Sequence, residues 1–193
     1  MRPYPKGFRP SAETLKKKHL GLPALILGGG PTLPIDVNKS PPESLKIAVN
    51  HHAYFCGIDA DYMVFCDRRW IQPDLNEAVQ QFQGVKISIY QGQSHYALPD
   101  DAWYNGTSAT LAVWLACYMG CDPVLLCGFN CYQGSRVYCH DDAKKPSDIK
   151  HLVNAPLQNH LDVWGPAISR CPNSQAIRAV SGPLITIFGS WQP

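Results

Sequence analysis

The chain carries little net charge, lacks any long apolar run and has no tight metal-binding knuckle, and each shortage removes a class of function. Its formal charge is +2, and the one dense basic run, Lys16-Lys17-Lys18, reads as the solvated face of a first helix. No specific nucleic-acid partner is expected from so small and local an excess. No stretch is long or apolar enough to span a bilayer, and the Met1-Arg-Pro-Tyr-Pro start lacks the apolar core of a signal peptide. The expectation is a cytoplasmic protein with no membrane span. Internal repeats and low-complexity blocks are also absent.

Cysteine is not scarce, at eight residues, but Cys-x2-Cys pairs are missing. Cys117, Cys121, Cys127, Cys131, Cys139 and His140 cluster along the chain with a repeated Cys-x3-Cys spacing, one pair on a helix and the next straddling a strand end. That pattern does not build a zinc knuckle, so no metal site is expected. Cys66, Cys117 and Cys127 sit in apolar segments where a small hydrophobe serves, and the thiols are expected to be reduced.

Two phosphate-binding signatures are missing as well: no Gly-Lys-Ser/Thr follows the glycines, and the spaced GxGxxG fingerprint does not occur. What is present is Leu25-Ile-Leu-Gly-Gly-Gly-Pro-Thr-Leu33, an apolar run that breaks into three glycines and a Pro-Thr helix start. It reads as a buried strand, a tight turn and a helix N-terminus, an arrangement that lets an anion such as phosphate approach the main chain.

At 193 residues the chain has the size of one α/β domain. Residues 1–22 read as an arm and short helix, and 23–193 as a single Rossmann-like, nucleotide-binding α/β domain. A mostly parallel sheet of about six strands is expected, flanked by helices and drawn from 23–29, 45–50, 61–66, 84–89, 122–128 and 183–188. Helical periodicity and caps place short helices at 33–38 and 73–82, the longest one after Asn105-Gly-Thr-Ser, and a last one over 158–169.

In open parallel sheets the ligand sits beyond the carboxyl ends of the strands. The Gly28 turn, Asn50 and Asp67 all fall at such ends, so they are expected to converge on one crevice. His51-His52 either begins a helix or contacts a ligand there. Asp67 could hold a ribose hydroxyl or a metal, with Arg68 and Arg69 clamping a phosphate or an acidic substrate. Residues 129–157 form a long polar and aromatic loop carrying Asn130, Tyr132, Tyr138 and His140, and loops of that length in compact domains are commonly functional.

Several of these segments, in order, resemble the bacterial CMP-sialic-acid-dependent sialyltransferases of glycosyltransferase family 42. Gly28-Gly29-Gly30-Pro31-Thr32-Leu33 resembles that family's G-N-G-P-S-L turn, Asn50 matches an Asn ending its second strand, and Thr107-Ser108 resembles its Thr-Ser-Gly helix start. Leu126-Cys-Gly-Phe-Asn-Cys-Tyr-Gln-Gly134 with Tyr138 resembles its L-S-G-I-D-F-Y-Q-N-G…Y segment, tyrosine spacing included. A similar turn and strand-Gly-x-Asp segment occur in 6-hydroxymethylpterin pyrophosphokinases and DUF115 proteins, often found beside glycan genes or in phage genomes.

The resemblance implies a metal-independent glycosyltransferase with a CMP- or UDP-linked sugar as substrate and no cofactor. It places Gly28, Gly29, Gly30, Thr32, Asn50, Thr107, Ser108 and Asn130 at the nucleotide; Asp67, Arg68 and His140 are candidate substrate contacts from their own places in the chain. Tyr132 and Tyr138 would hydrogen-bond the departing phosphate. His160 would be the general base, at the family's distance beyond the second tyrosine, with His140 and His151 as rivals. Three departures stand out: Gly29 for Asn, Ala109 for Gly, and Asn130 for Asp. The last removes a metal ligand, which disfavours the alternative of a magnesium-dependent pyrophosphokinase. A non-catalytic nucleotide or sugar binder, such as a phage accessory protein, is the other alternative.

Overall fold

The computed structural model describes residues 9–68, 73–133, 136–139 and 153–192. Short apolar runs between glycine and proline breaks form six strands, β1 (Ala24–Leu27), β2 (Leu45–Val49), β3 (Tyr62–Phe65), β4 (Val85–Ser88), β5 (Val124–Cys127) and β6 (Ile177–Ala179). Their order is β4-β3-β2-β1-β5-β6 and every pairing is parallel, which bears out the expected single Rossmann-like domain. From β1 the chain steps outward to β4, then returns and lays β5 on the other side of β1. The reversal makes the carboxyl ends of β1 and β5 the topological switch point, where open α/β sheets leave a crevice.

The sixth strand is a correction. The β-branched run within 183–188 is not a strand: residues Ile185–Phe188 are helical, and the edge strand is Ile177–Ala179. Leu184 and Phe188 are buried while Ile185 is exposed, a spacing of four that belongs to a helix packed on one side. Gly182 at φ 79° and Pro183 start that turn, and proline at the beginning of a helix gives up no hydrogen bond.

Each strand in the middle of the sheet is buried on both faces. One face presents Ile26, Ile47, Val49, Val64, Val124 and Leu126 to the largest core cluster, which also takes Ala12 and Leu15 from the 3-10 turn capped by Ser11. The main cover of this face is α4 (Ser108–Tyr118), in which every residue but Ala109 is buried. An all-round apolar sequence leaves such a helix nowhere else to go. The opposite face is covered by the short helices α1 (Leu33–Asn38), α2 (His52–Phe55) and α3 (Pro73–Gln81). The expected last helix is two pieces, α5 (Leu157–Asp162) and α6 (Ala167–Arg170), parted at Gly165-Pro166, and α7 is Ile185–Phe188. No helix among the described residues is long and apolar enough to cross a membrane.

The thiols are a second correction: Cys56, capping the end of α2, forms a disulfide with Cys139 across a Cα separation of 6.6 Å. The remaining six cysteines are free. An approach of two thiols this far apart in sequence follows from the tertiary path of the 136–139 segment, which no spacing pattern encodes.

Candidate functional site

The Gly28 turn owes its three glycines to crowding. A Cβ at Gly28 would lie 2.7 Å from the Gly128 carbonyl oxygen, and one at Gly29 would lie 2.7 Å from the His52 ring. At Gly30 a Cβ would meet both the Gly128 carbonyl, at 2.6 Å, and the Asn130 side-chain oxygen. The turn is thereby pressed against the chain leaving β5. Its N–H groups bond in the same direction: Gly28 N–H donates to Cys127 O at 2.8 Å and Gly30 N–H to Gly128 O at 2.7 Å. Thr32 N–H donates to Asn130 Oδ1 at 3.3 Å.

Beneath the turn lies Asp36, a residue the sequence patterns do not single out. It is 1% exposed, and its Oδ2 accepts from Thr32 Oγ1 at 2.8 Å, Gly128 N–H at 2.9 Å and Ser181 Oγ at 2.7 Å. One carboxylate oxygen thus joins the loops that follow β1, β5 and β6. Buried charge is tolerated only with such partners.

Above the turn is a pocket of about 420 Å³. Gly28, Gly29, Gly30, Asn50 and Asp67 line it from the ends of β1, β2 and β3, and Thr107 and Ser108 from the start of α4. Asn130 and Tyr132, which follow β5 in the chain, line it together with Tyr138 and His160. Residues spread over more than a hundred positions of sequence therefore share one cavity. Thr32 stands behind the lining, hydrogen-bonded to Asn130, and Arg68 lies outside it with its guanidinium 5.7 Å from the Tyr90 ring centre. His140, with its rival His151 and with Arg69, falls outside the described residues.

The start of α4 also presents free main-chain donors to the pocket. Thr107 caps the helix by accepting from Thr110 N–H at 3.2 Å, and the first-turn N–H groups of Ser108 and Ala109 have no carbonyl to reach within the helix. Ser108 Oγ, accepting from Cys66 N–H at 2.8 Å, fixes that end of α4 to the end of β3.

Three pocket residues without a glycine's freedom adopt left-handed backbone: Asn50 at φ 55°, Cys131 at 51° and Tyr132 at 59°. For a bulky tyrosine this is a costly conformation, and such strain concentrates where a side chain must be aimed. Tyr132 is aimed among rings, 6.3 Å centre to centre from Tyr138 and 5.3 Å from His160. Burial raises its pKa, partly offset by a hydrogen bond from Tyr138, so its hydroxyl stays protonated and able to donate.

His160 projects from α5, whose far end is held by Asn105 Nδ2 donating to Val163 O at 3.0 Å. Trp164 follows, wedged edge-on between Phe129 at 5.5 Å and Phe188 at 5.9 Å. These contacts anchor the segment that carries the histidine. Cys66 and Cys131 also line the pocket, and burial pushes their thiols up to about 12 and about 11 respectively. Neither is a thiolate at neutral pH, so neither serves as a nucleophile there.

At the β3 end, Asn50 Nδ2 donates to Asp67 Oδ2 at 3.2 Å, while Asn50 Oδ1 is buried with no hydrogen-bond partner among the described residues. A buried orphan acceptor in a cavity wall calls for a donor from a ligand. Burial raises the Asp67 pKa, with the Asn50 hydrogen bond opposing the shift. The folded protein therefore holds this proton more tightly than the unfolded chain. Asp67's contribution to stability is fully present below the unfolded carboxyl value of about 4 and is lost as pH rises through the higher folded value. Asp67→Asn, which keeps the shape and drops the charge, is expected to raise Tm at pH 7 by about 2 °C or less and to leave it unchanged near pH 3. Thermal denaturation from pH 3 to 8 checks this, and a lower Tm at pH 7 contradicts it.

His52, Phe129, Val137, Val163 and Trp164 are among the other lining residues. The pair His51-His52 was legible as a crevice candidate from its place after β2. The apolar residues carry no sequence signal, because their site role comes only from the path of the chain beyond β5.

No protein-family model matches the chain, and no curated protein matches it in sequence. Two solved structures share its fold. The monofunctional alpha-2,3-sialyltransferase Cst-I from Campylobacter jejuni aligns with a TM-score of 0.59 at 15% identity, over 97% of this chain and 84% of its own. The MAf glycosyltransferase from Magnetospirillum magneticum AMB-1 aligns with a TM-score of 0.55 at 17% identity, over 86% of this chain. This chain spans about a third of that longer protein, 32% of its length.

Proposed function

We propose that this chain binds a nucleotide-linked sugar, CMP- or UDP-linked, and transfers the sugar to a hydroxyl acceptor without a metal ion. The observation that carries the reading is the single pocket into which the ends of β1, β2 and β3, the start of α4, two tyrosines and a histidine converge. In it, the donor's phosphate sits at the start of α4 and the nucleoside spreads toward Asn50 and Asp67. The acceptor oxygen attacks the anomeric carbon as His160 takes its proton. The bond from that carbon to the phosphate oxygen breaks, and the phosphate leaves with the electron pair, held by the Tyr132 and Tyr138 hydroxyls.

The fold shared with two glycosyltransferases supports the class of reaction. Asn130 supports metal independence, because its amide, turned onto Thr32, offers no charge to a cation. The first test is binding. CMP, CDP, UMP and UDP are screened by thermal denaturation, where a ligand at a hundred times its Kd adds about 2.7 kcal/mol and moves Tm by about 5 °C or more. No shift with any of the four, or with CMP- and UDP-linked sugars, rejects the proposal. Binding without donor hydrolysis or transfer leaves a nucleotide binder in its place.

A further inference from the structure

Tyr138 lies within the described residues 136–139, a strap of chain that passes over the Gly28 turn. Cys139 N–H donates to Gly29 O at 2.9 Å, and Arg136 ties the strap to itself through Tyr138 O at 3.0 Å and Cys139 O at 2.7 Å. Two attachments come from α2. His52, only 8% exposed, stacks on the Tyr138 ring at 4.5 Å and 26°, and one turn later Cys56 is covalently joined to Cys139. Gly29 leaves the room that the His52 ring fills.

We propose that His52 and the Cys56–Cys139 disulfide form a two-point brace that positions Tyr138 in the pocket, so that reduction of this disulfide disarms the site. The proposal rests on the reading of Tyr138 as a donor to the departing phosphate. His52 acts through Tyr138 and is a positioning residue. The disulfide fixes the chain at the residue after Tyr138 and the stacked ring fixes its rotation, so losing either lets the hydroxyl drift, and a misplacement of about 1 Å suffices to lower turnover strongly. In the redox step a dithiol gives up two electrons and two protons and closes into its own cyclic disulfide, while Cys56 and Cys139 become thiols.

The experiment uses the whole chain, oxidised or treated with dithiothreitol, together with Cys56→Ser, Cys139→Ser, His52→Ala and His52→Phe. Hydrogen exchange is read at the Cys139 amide, and kcat and KM are read for CMP- and UDP-linked sugar donors. Reduction, either serine variant and His52→Ala are expected to speed exchange about tenfold or more and to cut kcat about ten- to a hundredfold, with KM for the donor within about threefold. His52→Phe, which keeps a stacking ring, is expected to restore both, and the serine variants are expected to be indifferent to dithiothreitol. Wild-type exchange and kcat after reduction overturn the proposal, as does failure of His52→Phe to rescue, which would give the imidazole nitrogens a role of their own. If the wild type turns over no donor, the transfer reading fails by itself. The exchange arm then still decides the brace: strap protection lost on reduction upholds it, and protection unchanged by reduction overturns it.

Discussion

Gly30→Ala is expected to destabilise the fold by about 3 kcal/mol or more, near the upper end of the cost of forcing one extra carbon into a packed interior. The added Cβ would stand 2.6 Å from the Gly128 carbonyl oxygen and collide with the Asn130 amide. The first of these is main chain and cannot rotate away. Retreat of β5's exit would break the 2.7 Å bond from Gly30 N–H to Gly128 O, and would pull Gly128 N–H off Asp36. Gly128 has no freedom to respond either, since it sits at φ 72° with Leu33 against it. Gly92→Ala is the control, because a Cβ there meets nothing within 4 Å and its φ is not positive. Urea denaturation of both variants checks the contrast, and equal stabilities would mean that the turn yields more easily than its contacts imply.

The same contacts explain how much of the site was legible in the sequence. A GGG turn after an apolar strand announces a close approach of something to the main chain, and the natural guess is phosphate. What approaches is the protein itself: Gly128, Asn130 and His52 fill the space that the missing side chains leave. Glycine's need for room is local and readable, whereas the identity of the neighbour is tertiary. By contrast, the convergence of the Gly28 turn, Asn50 and Asp67 was readable because parallel strands carry whatever follows them to one edge of the sheet. Strands β1, β3 and β5 and helix α4 were readable for a similar reason, as burial on both faces demands unbroken apolar runs.

The misreadings share a cause as well. β6 is three residues at the sheet's edge with Arg178 at its centre, too short to show any period, and nearby Ile185 to Phe188 offers a stronger β-like composition. There the core surface, reached by Leu184 and Phe188 with Ile187 partly buried beside them, decided for a helix. Asp36 hides in a helix of six residues where an acid in the first turn is unremarkable, and only Ser181, Gly128 and Thr32 reveal it as the tie among three loops. Cys56 and Cys139 are brought together by the return of the strap over Gly29, and no pattern in either's neighbourhood foretells it.

His160→Ala is expected to abolish sugar transfer while leaving nucleotide affinity within about threefold of wild type, because a base that takes the acceptor's proton contributes to the transition state and little to ground-state binding. Its place supports that separation: it stands beside Tyr132 at 5.3 Å and is carried by α5, whereas Asn50 and Asp67 follow β2 and β3. Tyr138→Phe is expected to behave differently from every variant that frees the strap. It keeps the ring stacked on His52 and removes one hydroxyl, so stability and the exchange of the strap should hold while turnover falls about ten- to a thousandfold, the range for losing a single donor to developing charge. Tyr132→Phe should fall in the same range, and the double variant by less than the product, because the two rings stand 6.3 Å apart and the proposed reaction has both hydroxyls hold the same phosphate. Donor hydrolysis and transfer, measured on all four proteins with thermal denaturation as the folding control, check these outcomes. Full activity in His160→Ala moves the base to His140 or His151, and full activity in Tyr132→Phe and Tyr138→Phe together removes the tyrosines from the chemistry and leaves them as the walls of a binding pocket.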